Sequence, residues 1–404
     1  MMNSPLAIDG GSPVRTTALA PWPFYDKDEI EKTVSILASG KVNYWTGSET
    51  KLFEEEFARF HGMKHGIALA NGTLALELAL IGYGIGPGDE VITTCRTFIA
   101  SASCIVRVGA TPVLVDVDLK SQNLLASEIE KAITSRTKAI VAVHLAGWPC
   151  DMDAILDVAR RHGIKVVEDC AQSHGSKYKG HFTGSLGDMS AFSFCQDKIM
   201  STAGEGGMLL LNDTDLYEKL WAFKDHGKSF EAVFRRSHPP GFRWLHESFG
   251  TNWRMTEIQG AIGRIQLQKL ETWIEKRRAL SQIVSQGLVD VPGLVVHHPD
   301  DSVYHSYYKY YAMVDATKLN SGWNRDRIMA AINAEGIPCF SGSCSEIYLE
   351  QAFKKAGLGP AQRFVNAKRM GEESLMFLVH PTLDADYAAD LVRAVAKVMS
   401  VAAG

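Results

Sequence analysis

Lys198 and two residues near it in the predicted fold carry the side chains that could act on one cofactor. Ser193 precedes the lysine in the segment 190–200, where an apolar run typical of a strand ends. The run 164–168 predicts a buried parallel strand that delivers Asp169 to the sheet edge where open α/β folds bind ligands. An amine can form a Schiff base, a hydroxyl can bind phosphate, and a carboxylate can pair with a protonated ring nitrogen. Together these groups indicate a site for pyridoxal phosphate.

Each of these residues also has an ordinary structural interpretation. Lys198 taken alone is typical of a solvated surface lysine, and Asp169 could cap a helix that begins after Glu168. The order along the chain favours the chemical interpretation, because a strand (188–194), the lysine, a glycine-rich turn and a further apolar strand (208–211) follow one another.

The segment Asn71-Gly72-Thr73 follows a predicted strand and opens a helix. The first amides of a helix lie at the positive end of its dipole and can bind phosphate. The alternative for this segment is a plain strand-to-helix turn in which Asn71 or Thr73 caps the helix.

Two side chains could complete the contacts to a pyridine ring. Phe98 follows the next strand and could stack on the ring, although a phenylalanine at such a position can also belong to the core. Gln172 lies three residues after Asp169 and could donate a hydrogen bond to the phenolic oxygen of the ring.

Hydrophobic periodicity predicts the elements that position these residues. Short apolar runs predict strands, and amphipathic runs predict helices between them. Strands are predicted at 66–70, 90–93, 111–115, 139–143, 165–168, 188–194, 208–211 and 304–311. Helices are predicted at 26–38, 49–60, 256–278, 325–334 and 387–399. The alternation predicts an α/β protein with a mostly parallel, helix-covered sheet.

The same pattern divides the chain into four parts. We predict an N-terminal arm at 1–24, which packs on the surface or reaches a neighbouring subunit, and a large cofactor-binding domain at 25–254. A linking helix at 255–284 then leads to a smaller C-terminal α/β domain at 285–404.

Composition excludes several classes of protein. The 404 residues are 46% hydrophobic with a net charge of -4, which argues against a surface for nucleic acid or anionic membranes. No apolar run approaches the roughly 18 residues of a membrane span, and the N-terminus lacks a secretory signal, so we expect a soluble cytoplasmic protein. The seven scattered cysteines are spaced neither as a disulfide framework nor as a zinc site, so we expect reduced thiols. For Cys339 and Cys344, a metal site is the alternative to ordinary packing.

The chain resembles the DegT/DnrJ/EryC1/StrS family of pyridoxal-phosphate-dependent sugar aminotransferases. The resemblance covers nearly the whole chain and is carried by segments 43–47, 71–73, 86–91, 168–172, 192–194, Lys198, 204–207 and 250–255. It implies the fold of type I aspartate aminotransferases, with a large mostly parallel sheet domain and a smaller C-terminal α/β domain. Arg96 departs from the family pattern, in which an apolar or aromatic residue is common at this position.

The resemblance also implies a role for each site residue. Lys198 would bind the cofactor as a Schiff base, Asp169 would pair with the ring nitrogen, and Gln172 would contact the phenolic oxygen. The remaining contacts would be stacking by Phe98, phosphate binding by Gly72, Thr73 and Ser193, and a contact from Asn252 to the cofactor phosphate of a partner subunit. The implied assembly is a homodimer with shared active sites.

By this resemblance the expected reaction moves an amino group from glutamate or glutamine to a keto sugar. The acceptor would be a nucleotide-linked 4-keto or 3-keto deoxyhexose. One alternative is that the acceptor is a keto-inositol. The other is that the chain is a regulatory protein that binds the cofactor without turnover. Related sugar 3-dehydratases carry histidine in place of the Schiff-base lysine, so Lys198 favours transamination.

A group of basic residues in or beside the irregular segment 223–253 has two interpretations. It could clamp a diphosphate, or it could be a solvated charged loop. The residues are Lys224, Lys228, Arg235, Arg236, Arg243 and Arg254.

Overall fold

The computed structural model describes residues 5–404, and its strands form three sheets. The strands are β1 (His65–Leu69), β2 (Glu90–Thr94), β3 (Thr111–Val115), β4 (Thr137–Val143), β5 (Lys165–Asp169), β6 (Lys177–Tyr178), β7 (His181–Phe182), β8 (Met189–Ser193), β9 (Gly207–Leu211), β10 (Leu294–Val295), β11 (Val303–Tyr304), β12 (Tyr310–Val314), β13 (Cys339–Phe340) and β14 (Ser374–Phe377).

Helices surround these sheets. They are α1 (Lys27–Ser39), α2 (Glu49–Phe60), α3 (Gly72–Gly82), α4 (Ala100–Arg107), α5 (Ala126–Ala132), α6 (Met152–His162), α7 (Thr214–Lys224), α8 (Phe230–Phe234), α9 (Glu257–Leu288), α10 (Arg325–Ala334), α11 (Gln351–Ala356), α12 (Val365–Glu373) and α13 (Ala385–Ala402). Short 3₁₀ turns lie at Ala7–Asp9, Leu145–Gly147, Ala316–Lys318 and Ile347–Leu349. Within residues 5–404, every helix is too short or too polar to span a bilayer.

The large sheet has seven strands in the order β1-β9-β8-β5-β4-β2-β3. β2, β3, β4, β5 and β8 run parallel, while β9 is antiparallel to both β8 and β1. The carboxyl ends of β1, β2, β5 and β8 therefore meet at one edge. The predicted mostly parallel α/β sheet is confirmed.

Both faces of the large sheet are covered, which explains why its strands read as continuous apolar runs. On one face, alternate strand residues such as Val141 and Leu209 pack against α3 and α7. On the other face, Phe192 and Leu210 pack against aromatic residues of α2 and against α9. Each strand thus contributes to two hydrophobic cores.

The long helix α9 joins the large sheet to a smaller antiparallel sheet. Its first half packs against α2, where Gly263 lies so close to Phe53 that a Cβ at this glycine would be 2.6 Å from the phenylalanine ring. Its second half contributes Leu280, Val284 and Leu288 to the core beneath the sheet β10-β12-β14-β13. The helix predicted at 256–278 continues to Leu288 because this second apolar face is also buried.

The N-terminal segment packs on the small domain of its own chain. Leu6 is buried in that core, and the amides of Ala7 and Val14 donate hydrogen bonds to Glu335. Arg15 forms an ion pair with Asp390 at 2.8 Å. These contacts hold residues 6–15 on their own chain, and the predicted reach of the arm to a neighbouring subunit stays a prediction.

The prediction of a single strand at 304–311 is wrong for residues 305–309. β11 ends at Tyr304, Tyr307 has a left-handed backbone with φ 48°, and β12 begins at Tyr310. The chain turns here because the amide of Tyr308 donates a hydrogen bond to the carbonyl of Ala146, which pulls the segment onto the large domain. β11 also pairs with β6, so a strand from the predicted small-domain segment belongs to the large domain's surface.

Candidate active site

The phosphate-binding segment predicted at 71–73 lies at the start of α3. Asn71 caps the helix by accepting a hydrogen bond from the amide of Leu74 at 3.0 Å. Gly72 approaches Ser193 so closely that a Cβ at this glycine would be 2.6 Å from the Cβ of Ser193. The absence of a side chain therefore lets the first amides of the helix and the Ser193 hydroxyl reach the same anion.

Asp169 lies at the carboxyl end of β5 and is 5% exposed. It accepts hydrogen bonds from the Ser101 hydroxyl at 2.7 Å and from the amide of Ala171 at 3.1 Å. Burial raises the pKa of Asp169, and these hydrogen bonds oppose the rise. Within residues 5–404 no basic side chain forms an ion pair with this carboxylate, so a cationic group in the cavity would supply the missing partner.

Gln172 and Phe98 line the same cavity. The side-chain oxygen of Gln172 accepts a hydrogen bond from the amide of Ala146 at 2.8 Å. This contact fixes the orientation of the side-chain amide, with its oxygen turned toward the backbone and away from the cavity. The amide nitrogen is then the group that can donate into the cavity. Phe98 is 65% exposed, so its ring is a wall of the cavity and does not belong to the core.

The amine of Lys198 lies beside a tyrosine and an aspartate. Its Nζ is 3.5 Å from the Tyr308 hydroxyl and 3.7 Å from Oδ1 of Asp197. The Tyr308 hydroxyl donates a hydrogen bond to Asp197. Burial raises the pKa of Asp197, but the charge of Lys198 and this hydrogen bond outweigh it and lower the pKa below its usual range. The main chain of Lys198 is fixed by the indole of Trp22, which donates to its carbonyl at 2.9 Å.

The structure brings seven of the eight predicted site residues into one cavity of about 1090 Å³. They are Gly72, Thr73, Phe98, Asp169, Gln172, Ser193 and Lys198. The cavity lies between the carboxyl edge of the large sheet and a wall formed by the small domain. Residues of that wall include Tyr308, Lys309, Tyr311, Phe340, Met376 and Leu378.

Asn252 is the predicted site residue that lies outside this cavity. It is exposed, and its side-chain oxygen accepts a hydrogen bond from the amide of Arg254 at 3.4 Å. Its predicted contact with a partner subunit stays a prediction.

The basic residues between 224 and 254 do not form one cluster. Lys224 is fully buried and forms an ion pair with Glu54 at 3.5 Å. Arg254 pairs with Asp225, whereas Arg235 and Arg236 pair with glutamates on the surface. Most of these charges therefore already have partners in their own chain, which weakens the diphosphate-clamp interpretation.

Several residues of the site were not predicted from the sequence. Ser101 supports Asp169, while Asp197 and Tyr308 contact the amine of Lys198. Asp197 directly precedes the lysine and could have been considered for that reason. Tyr308 stands in the segment that was predicted to be a strand, and no sequence signal places its hydroxyl beside Lys198.

Comparison with known proteins identifies the family of the chain. The model of the DegT/DnrJ/EryC1/StrS aminotransferase family matches residues 23–396. The chain belongs to this family. It is therefore an aminotransferase, and aminotransferases of this family depend on pyridoxal phosphate.

Individual relatives cover most of the chain. The crystal structure of an aminotransferase from Psychrobacter cryohalolentis is 51% identical, covers 93% of this chain and 98% of its own, and superimposes with a TM-score of 0.92. GDP-perosamine synthase from Caulobacter vibrioides is 43% identical over 70% of this chain and 73% of its own. A dTDP-3-amino-3,4,6-trideoxy-alpha-D-glucose transaminase from Streptomyces venezuelae is 35% identical over 89% of each chain. This aminotransferase is thus similar to enzymes that are named for amino sugars.

Proposed function

We propose that this aminotransferase binds pyridoxal phosphate in the cavity and moves an amino group from glutamate or glutamine to a nucleotide-linked keto sugar. The observation that carries the proposal is the convergence of Lys198, Asp169 and Ser193 with the start of α3 on one cavity. The buried carboxylate of Asp169 forms no ion pair within residues 5–404, and Gly72 leaves the helix start open to an anion. These two features match the two charged ends of that cofactor.

Different side chains would bind different parts of the cofactor. The Ser193 hydroxyl and the first amides of α3 would hold the phosphate, and Asp169 would keep the ring nitrogen protonated. Gln172 would donate to the phenolic oxygen, and Phe98 would pack against the ring face. Pyridoxal phosphate supplies the electron-withdrawing ring that stabilises negative charge on the substrate carbon.

Lys198 would carry out the proton transfers. Its amine would hold the cofactor between turnovers and, once displaced by substrate, would remove and return a proton at the substrate carbon. Tyr308 and Asp197 lie beside Nζ and would orient it for this transfer. The wall that faces Lys198 would exclude water from the reacting atoms.

A spectroscopic experiment tests the proposal. The purified protein should absorb visible light through its bound cofactor, and glutamate or glutamine should bleach that band. Borohydride reduction should then place the pyridoxyl group on Lys198. Label on Lys177 or Lys224, or a band that no amino donor changes, would contradict the assignment and favour a cofactor-binding protein without turnover.

A panel of candidate substrates tests the identity of the acceptor. Amine transfer from glutamate should be followed with nucleotide-linked 4-keto and 3-keto deoxyhexoses and with keto-inositols. The names of GDP-perosamine synthase and of the dTDP-sugar transaminase support a nucleotide-linked acceptor. Turnover with keto-inositols alone would replace this acceptor by the cyclitol alternative.

We also propose that the enzyme is a cytoplasmic homodimer in which Asn252 completes the phosphate site of the partner subunit. The segment before Asn252 exposes Phe242, Trp244 and Phe249, with 79%, 82% and 101% of their surface accessible. The rings of Phe242 and Trp244 lie 4.8 Å apart, and neighbouring exposed aromatic residues are typical of an interface.

Mixing two variants tests the shared site. In a hybrid dimer of Lys198→Ala and Asn252→Ala, one site lacks both side chains. The other site has Lys198 from one subunit and Asn252 from its partner, and is therefore intact. Partial recovery of activity after the two proteins are unfolded and refolded together would support the shared site. Activity no greater than the sum of the separately refolded variants would contradict it.

A further inference from the structure

Lys309 is a cation on the small-domain wall of the cavity, where its neighbours are apolar or aromatic. It lies just before β12, two residues from Tyr311, and both residues line the cavity. Tyr311 is paired with Met376 across the sheet, and Met376 with Phe340, so these side chains form one face. Tyr310 between them is 2% exposed and belongs to the small-domain core.

This lysine lacks an anionic partner in its own chain. Within residues 5–404 no carboxylate oxygen lies within 4.0 Å of its Nζ, which instead stands 4.7 Å from the ring centre of Tyr308. Lys224, the fully buried lysine elsewhere in the molecule, pairs with Glu54. Burial lowers the pKa of Lys309 to about 8, and Arg277 and Lys198 act in the same direction against Asp197.

Two buried arginines add positive charge behind the same wall. Arg96 has no exposed surface and donates only to neutral groups, which include the carbonyl of Ser343 and the hydroxyl of Ser374. Its guanidinium carbon lies 5.5 Å from the ring centre of Tyr311. Arg277 donates to the carbonyl of Tyr308, while its Nε and Nη2 make no hydrogen bond within residues 5–404.

Lys309 and the two arginines therefore give this wall positive charge. The carboxylate of Asp197 acts on Lys309 from a distance, but no carboxylate within residues 5–404 forms an ion pair with its ammonium. A half-buried ammonium without a counter-ion is costly, and an anion bound beside it would remove that cost. The amine of Lys198 and the ammonium of Lys309 line the same cavity, so an anion at Lys309 would belong to a molecule that also reaches the reacting amine.

We propose that Lys309 binds a carboxylate or phosphate group of a substrate and so determines the specificity of this aminotransferase for acidic substrates. The inference rests on the proposed function, since it assigns the group that the same site recognises. Two sources of the anion share this chemistry, namely the carboxylate of the amino-acid donor and the carboxylate or diphosphate of the sugar acceptor.

Titration calorimetry with three probes on the cofactor-loaded protein separates the sources. Glutarate has the skeleton of glutamate without the amine, glucuronate carries a sugar carboxylate, and UDP carries a nucleotide diphosphate. Lys309→Gln should weaken binding of at least one probe by roughly ten- to a hundredfold, the usual range for a charge-assisted hydrogen bond. Lys309→Arg should retain most of that affinity. The probe that is affected identifies the source.

A matched control removes the same charge elsewhere. Lys219 is exposed on α7 and lies outside the cavity, so Lys219→Gln should bind the probes as the natural protein does. Equal affinities for all three probes in Lys309→Gln and the natural protein would overturn the proposal. Equal losses in Lys309→Gln and Lys219→Gln would also overturn it, because the effect would then be one of net charge. Circular dichroism of each variant checks the fold.

The outcome is separable from that of the proposed function. Bleaching of the cofactor band by glutamate tests amine transfer and does not depend on the comparison of variants. If the band bleaches while Lys309→Gln binds normally, only the role of Lys309 fails. If the probes respond to Lys309→Gln while no donor bleaches the band, only the transfer reaction fails.

Discussion

The two walls of the cavity are built in different ways. On the large-domain wall, Asp169 and Ser193 come from strand ends of one sheet, and their positions follow from strand order. On the small-domain wall, Tyr308 and Lys309 come from an irregular segment whose position depends on packing against the large domain. The first wall carries groups that suit the proposed cofactor, and the second carries groups that would face the substrate.

The walls also differ in charge. Within residues 5–404, the carboxylate of Asp169 on the large-domain wall forms no ion pair with a basic side chain. The ammonium of Lys309 on the small-domain wall likewise forms no ion pair with a carboxylate. Each charge is therefore a place for a bound group of opposite sign. Variants on the first wall should impair the chemistry with every substrate, whereas variants on the second should discriminate between substrates.

The largest effect is expected on the large-domain wall from Lys198→Ala. Loss of the amine should lower kcat by about a thousandfold, because the group that would hold the cofactor and move the proton is removed. Steady-state kinetics and circular dichroism should show an inactive but folded protein. Lys219→Ala is the control, and a Lys198→Ala protein that keeps a tenth of the activity would refute the assignment.

A smaller loss is expected from Asp169→Asn. The amide can keep the hydrogen bond of Ser101 but not the negative charge, so kcat should fall by about a hundredfold with all substrates. The matched variant is Glu168→Gln, since Glu168 faces away from the cavity and accepts hydrogen bonds from His144 and from the amide of Gly184. It should lower stability to urea by about 1–3 kcal/mol and change kcat far less. Equal losses of kcat in Asp169→Asn and Glu168→Gln would contradict a specific role of the Asp169 charge in the reaction.

The small-domain wall should give a pH dependence. Lys309 is charged below its pKa of about 8, so the apparent affinity for an anionic substrate should fall about tenfold between pH 7 and pH 9. Arg277, Lys198 and Asp197 are the charged groups that influence this lysine. Lys309→Arg stays charged and should flatten the profile of KM against pH. Parallel profiles for this variant and the natural protein would assign the dependence to another group.

The smallest effect is expected from Tyr308→Phe, where the two walls meet. Its hydroxyl bonds to Asp197 beside Lys198, and one such hydrogen bond contributes about 0.5–1.5 kcal/mol. The value of kcat should therefore fall about two- to tenfold, with KM nearly unchanged. A loss as large as that of Lys198→Ala would show that the tyrosine itself transfers the proton.

The sequence predicted most regular elements of the chain well. The helix at 49–60 and the strand at 111–115 match α2 and β3, because their periodicity agrees with their burial. The error at 304–311 has the opposite cause. Four of the residues from 304 to 308 are aromatic or imidazole side chains that favour strands locally, but contacts with Ala146 and Gly147 impose a turn.

The residues of the candidate site also differ in whether local sequence or tertiary contacts determine their position. Seven of eight predicted residues line the cavity because strand order and short spacing place them at one edge. Asn252 would need a second subunit to join them. Ser101 and Tyr308 could not be predicted, since each acts through a contact with a residue distant in sequence.

The sequence by itself determined the α/β class, the Schiff-base candidate Lys198 and the sheet edge at which Asp169 and Ser193 meet. These features are local, because each depends on a strand, its direction and the few residues that follow it. Only the tertiary structure decided which residues face that edge from the other side. The packing of the small domain against the large sheet places Lys309 on the cavity wall with no ion-pair partner in residues 5–404, and no local sequence pattern encodes such a placement.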